Sequence, residues 1–144
     1  MQLKLLAFAL LILSLALFTI QAHASGESIE YQLACVNAGR RVAQDDITVA
    51  RFRSLLRQLS DTFVENQQQI ADMSVKGLQM LKQDGISESL LNIMEGMNQL
   101  FSTKVENQKY AEFISAYLTL RDKGQSHRQA IDGLQGILRS MGIY

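Results

Sequence analysis

Side chains able to do chemistry are scarce in this chain. Cys35, in the stretch YQLACVNAGRR, is the only cysteine, and the two histidines are His23 and His127. A lone sulfur has four uses: lipid anchor, half of a bridge between chains, nucleophile, or small apolar filler. Lipidation needs the cysteine directly after an apolar export segment, whereas Glu27 and Glu30 separate Ile20 from Cys35. A Cys35–His127 nucleophile and base would need an exposed sulfur beside an oxyanion hole, and no motif supplies one. Two readings are left. Cys35 is a buried small hydrophobe among Leu33, Val36 and Ala38, or, as an odd cysteine in an oxidising compartment, it is a candidate interchain disulfide.

Imidazole is equally limiting. His23 belongs to the export segment read below, so His127 is the one histidine of the processed chain. Sites built on several histidines are excluded, and the paired Glu-x-x-His steps of a di-iron carboxylate bundle do not occur. Glu65, Glu95, Glu106 and Glu112 read as solvated carboxylates. Without Cys-x-x-Cys-His, haem cannot be attached covalently. A b-type haem held by His127 and a methionine is chemically allowed, but the methionines stand at core spacing. No cofactor, metal or catalytic constellation is expected. The most basic stretch carries Arg40, Arg41, Arg51, Arg53 and Arg57. On a helix Arg53 and Arg57 share a face, which reads as solvated surface or as a face for an acidic partner.

The compartment follows from the opening MQLKLLAFALLILSLALFTIQAHASGES. Lys4 precedes a run of sixteen apolar and small residues, Leu5–Ile20, and Ala22-His23-Ala24 presents small residues where a signal peptidase reads. The run falls short of the ~20 residues of a bilayer-spanning helix. The expectation is a cleaved signal peptide over 1–24, a single helical domain over 25–144, and a periplasmic or secreted protein with no stable membrane anchor. The remaining chain is long enough to bury a core without disulfides. Removing Lys4 leaves 13 basic against 14 acidic residues, a net charge of −1. That balance argues against nucleic acid and against electrostatic binding to anionic lipid. The absence of an Asn-x-Ser/Thr sequon favours a bacterial envelope.

The elements are all helical, because proline is absent and apolar residues recur at steps of three and four. A first helix runs from about Glu27 to Ala38 and stops at Gly39. Asp45 or Asp46 caps the next. Val49, Phe52, Leu56, Leu59, Phe63, Asn66, Ile70, Met73, Gly77 and Met80 then form a seam of period 3.5 with Asn66 as a polar insert. As one rod, 46–83 would span about 57 Å. The polar ENQQQ favours two helices, 46–66 and 68–83, with the single rod as the alternative. Gly85 ends that helix and Ser87 caps the next, with Ile86 and Leu91 as its staple and Leu90, Met94, Met97 and Phe101 buried. Thr103 and Glu106 form a capping box for a helix buried through Tyr110, Phe113, Tyr117 and Leu120. Ser126 and Gln129 form another, for a helix buried through Ile131, Leu134, Ile137 or Leu138, and Met141.

Two segments resemble each other. Leu81-Lys82-x-x-Gly85-x-Ser87 matches Leu120-Arg121-x-x-Gly124-x-Ser126 at an offset of 39, and Met94-Glu95-Gly96-Met97-Asn98 matches Ile131-Asp132-Gly133-Leu134-Gln135 at 37. The two-residue difference is placed inside the second helix of each hairpin, where it would rotate a face by about 200° and weaken the case for duplication. Gly96, Gly133 and Gly136 inside helices each cost about 1 kcal/mol relative to alanine, which points to close helix packing.

The chain therefore reads as a small all-α bundle of five to six helices built from αα-hairpins. By elimination its function is that of an exported, non-catalytic protein-interaction module with an unknown protein partner and no nucleic acid. Met73 and Met80, with Arg53 and Arg57, are the candidate interaction surface. The alternatives are a bundle that binds a small ligand or b-type haem, and an envelope protein that self-associates through the seam, as a homodimer bridged at Cys35.

Overall fold

The computed structural model describes residues 26–101 and 107–143. The export-signal expectation and the Thr103–Glu106 capping box lie outside the described residues. Within them there are six helices and no strand: α1 (Ile29–Ala38), α2 (Ile47–Thr62), α3 (Gln67–Gln83), α4 (Leu90–Asn98), α5 (Tyr110–Asp122) and α6 (His127–Ser140).

Local chemistry sets the ends of the first helices. Ser28 opens α1 by accepting from the Tyr31 amide, and Gly39 closes it at φ +66°, a left-handed conformation that favours glycine. Asp46 caps α2 by accepting from the Thr48 amide at 2.8 Å. Val49, Phe52, Leu56 and Leu59 of the seam are buried as a stripe, each large side chain contributing about 1.5–3 kcal/mol.

The rod breaks at Phe63. Its backbone is extended (φ −104°, ψ 159°), and its ring lies edge-on to Phe101 and Tyr110 with centroids at 5.7 and 5.2 Å. Asn66 then opens α3 with a reciprocal capping box to Gln69. The polar member of the seam is thus an exposed helix cap and not a buried register-setter, and 46–83 is two helices. The bend also resets the buried row. Ile70, Ala71, Ser74, Val75, Leu78 and Leu81 face the core, leaving Met73 half-buried and Met80 44% exposed.

Two further starts differ from expectation. The cap of α4 is Ser89, accepting from Asn92, and not Ser87. Asn37 at the end of α1 satisfies the Leu91 amide at 3.0 Å. For α5, Lys109 provides no side-chain cap. Glu65, in the α2–α3 connection, takes the amides of Tyr110 and Ala111 at 2.8 and 3.1 Å. One carboxylate thereby satisfies two orphan donors at the positive end of the helix. Ser126 and Gln129 form the expected box on α6. Of the apolar candidates on α6, Leu138 is buried while Ile137 and Met141 are exposed.

With Ser89 as the cap, the likeness between the segments changes meaning. Helices α3 and α5 end 39 residues apart, and the caps Ser89 and Ser126 lie 37 apart. The two-residue difference falls in the connecting loop and not inside a helix, so the faces of α4 and α6 stay in register. Gly85 and Gly124, at φ +73° and +83°, turn both loops the same way. The hairpins α3–α4 and α5–α6 stack, α3 on α5 and α4 on α6, while α2 packs on the first hairpin and α1 rests on α2. Close packing explains one glycine of the three. A Cβ on Gly96 would lie 2.7 Å from Ile131 Cδ1 and 2.8 Å from His127 Cε1, whereas Gly133 has ordinary room and Gly136 faces open space.

Candidate functional site

Helices α3 and α5 run in the same direction and meet where α3 is smallest. A Cβ on Gly77 would stand 3.2 Å from Ile114 Cδ1 and 3.5 Å from Leu118 Cδ1, so the glycine lets α5 come close. Beside this contact lies an open groove of about 620 Å³. Ile114, Leu118 and Leu81 line it, and Met73 and Met80 flank Gly77. Methionine is unbranched and polarizable and adapts to varied apolar shapes. The hydroxyls of Ser115 and Thr119 also line the groove, but each donates to the carbonyl four residues back, at 2.7 and 3.0 Å. Lys76 stands on the rim, and Asp84 and Asp122 lie where both helices end.

A second constellation lies between the hairpins. Glu88, before α4, accepts a charge-assisted hydrogen bond from the Arg121 guanidinium, with both side chains more than nine-tenths buried. Arg121 also donates to the Tyr117 hydroxyl at 2.7 Å, and that hydroxyl lies 2.9 Å from His127 Nδ1 and 3.4 Å from Glu88. Asn92 and the Ser89 amide hold the other Glu88 oxygen at 3.0 Å each. Burial raises the carboxyl pKa of Glu88. The Arg121 guanidinium, the Ser89 amide and Asn92 outweigh that, so it sits below the usual carboxylate value. Burial, and then the neighbouring Glu88 charge, push the Tyr117 phenol well above its ordinary value. These groups neutralise and orient one another, and none of the four lines the groove. Among the described residues, the buried Arg121 Nε has no hydrogen-bond partner.

The structure separates the residues singled out from the sequence. Met73 and Met80 meet in the groove, while Met94 and Met97 are wholly buried. Arg53 lies on α2, where it pairs with Glu30 of α1 at 2.9 Å, and Arg57 is exposed on the same helix. Neither lines the groove, which brings Met73 and Met80 together without Arg53 and Arg57. Cys35 is free and half-buried, packed against the core. His127 meets Glu88 and Tyr117 and not a methionine of the groove. It is a member of the polar cluster at the start of α6. Among the acids read as solvated, Glu65 caps α5, Glu95 pairs with Arg51, and Glu112 lies 3.7 Å from Lys109, while Glu106 is outside the described residues. The seam residues Val49 to Leu59 are consumed inside the chain. Among the described residues no three His, Cys, Asp or Glu converge to hold a metal, and no helix is long and apolar enough to cross a membrane.

Sequence reasoning missed Glu88 and Arg121. A signal for Arg121 is present: Tyr110, Ile114, Tyr117 and Arg121 follow at steps of four, three and four, so the arginine continues a buried stripe.

A family model described as MoxZ matches residues 38–137. The stretch contains the groove and the polar cluster and leaves Cys35 outside. No curated protein and no solved structure matches the chain.

Proposed function

Since that match spans well over half of its length, the chain belongs to the MoxZ family, and from this premise we propose that it is a periplasmic, non-catalytic accessory of methanol oxidation that binds a protein partner through the α3/α5 groove. Family membership supports the process and the compartment. One observation carries the binding mode: an open apolar groove bordered by an exposed methionine, at a place where Gly77 keeps the floor low. Apolar side chains left at the surface in a concave setting mark recognition sites. The polar cluster does not line the groove but ties α5, which does, to the loop before α4. The small-ligand reading rests on the same feature, because the volume lies within the range of pockets that enclose small molecules.

A deletion strain tests the reading. Loss of the protein should impair growth on methanol and spare growth on other carbon sources. The wild-type gene should restore it, Met80→Glu should not, and Arg57→Glu should. Normal growth of the deletion strain on methanol would sink the process assignment. Full rescue by folded Met80→Glu would sink the groove.

A further inference from the structure

The groove has a direction, and its charges tell which way an occupant lies. Helix α3 ends at Gln83 with Asp84 as its C-cap, and α5 ends at Asp122. The Ser74–Tyr110 hydrogen bond and, one turn further along both helices, the contact of Gly77 with Ile114 show that the two run parallel, which brings both C-terminal ends to one mouth of the groove. Asp84 and Asp122 line that mouth, both exposed, and neither carboxylate is paired among the described residues. The partial negative charges of two helix C-termini add to theirs, and Lys82 and Lys123, exposed at the same helix ends, do not line the groove. Lys76 stands eight residues before Asp84 on α3, about 12 Å nearer the other end at 1.5 Å per residue.

The occupant's backbone is constrained as well. Ser115 and Thr119, the hydroxyls of the α5 wall, are engaged with their own helix. Among the described residues there is no strand edge to which an extended peptide could add. An extended segment would leave its amides and carbonyls unmet against this apolar floor, whereas a helix satisfies its own.

From this we infer that the α3/α5 groove takes an amphipathic helix of a partner protein, with an apolar stripe seated over Gly77 between Met73 and Met80 and an arginine or lysine held at the Asp84–Asp122 mouth. The inference rests on the groove reading above and adds the partner's chemistry and polarity. An acidic side chain about two helical turns from the cation would face Lys76. An acidic side chain at the mouth itself would be repelled, so the mouth selects as well as attracts.

The test uses the purified protein, labelled at its methionine methyl groups, and two synthetic sixteen-residue amphipathic helices. Both carry leucines at steps of three and four; one ends in two arginines and its twin in two glutamates. The arginine peptide should shift the Met73 and Met80 methyl resonances and leave Met94 and Met97 in place. It should bind at least about tenfold more tightly than the twin, with the preference falling as salt rises. Asp84→Asn with Asp122→Asn should abolish the preference without unfolding the protein, since both side chains are exposed. Equal binding of the two peptides, shifts elsewhere, or no binding of either would overturn the inference. The growth assay keeps the two proposals apart. If Met80→Glu fails to rescue while the double asparagine variant rescues fully, the groove reading stands and the cationic helix falls.

Discussion

Glu88 and Arg121 meet inside the molecule although 33 residues separate them, and their contact ties the loop before α4 to the last turn of α5. Removing one partner leaves a buried charge uncompensated. Arg121→Met should therefore lower unfolding stability by about 3–5 kcal/mol, read from urea denaturation. Arg121→Met combined with Glu88→Gln should recover a good part of that loss. Equal destabilisation by the single and the double variant would show that lost packing, and not the stranded carboxylate, causes the damage.

The same pair sets a pH response. The folded carboxyl of Glu88 lies below its ordinary value of 4.5, so between the two values the unfolded chain binds more protons than the folded one. Its contribution is complete above about pH 4.5 and is lost as pH falls through the lower, folded value. Thermal midpoints measured from neutral pH downward should show this acid-side drop, and Glu88→Gln should flatten it. Identical profiles for the two proteins would refute the assignment.

Glycines that look alike in sequence should respond oppositely. Gly96→Ala must push Ile131 and His127 aside, at a cost of about 1–3 kcal/mol for overpacking, partly offset by about 1 kcal/mol of helix propensity. A methyl group on Gly136 would meet nothing within 4 Å, so Gly136→Ala should stabilise by up to about 1 kcal/mol. Chemical denaturation of both variants checks the pair. Stabilisation by Gly96→Ala would mean that α4 and α6 have slack at this crossing.

Glu65 makes a third point of attack. Its carboxylate serves the first two amides of α5, and Glu65→Ala should destabilise by about 0.5–2 kcal/mol, the range for losing a helix cap. Glu65→Gln should retain part of that, because one acceptor oxygen remains. Circular dichroism melts distinguish the two outcomes, and an unchanged Glu65→Ala would show that solvent replaces the cap without loss.

Much of the architecture is written locally. Ser126 with Gln129, Asp46, Gly39 and the α2 stripe each act within a turn of themselves, and one-dimensional spacing exposes them. The errors share a different cause. Asn66 fits the seam by spacing, but the burial of Phe63 between Phe101 and Tyr110 bends the chain and turns Asn66 into a cap. Glu65 looks like a solvent-facing acid, and Glu88 does not stand out at all, because their partners are 45 and 33 residues away. The groove is half legible. Met73 and Met80 stand out in the sequence as a flexible apolar pair, but only the reset of the α3 face after the bend, together with the approach allowed by Gly77, distinguishes them from Met94 and Met97. Arg53 and Arg57 stand out through charge, which says nothing of the Glu30 carboxylate beside Arg53.

The corner at Phe63 reaches beyond its own helices. Val64 donates to the Gln108 carbonyl at 2.9 Å, Glu65 grips the next two amides, and the Phe63 ring rests on Tyr110. That turn and the head of α5 cannot open separately, so the Val64, Tyr110 and Ala111 amides should exchange with solvent in one cooperative step.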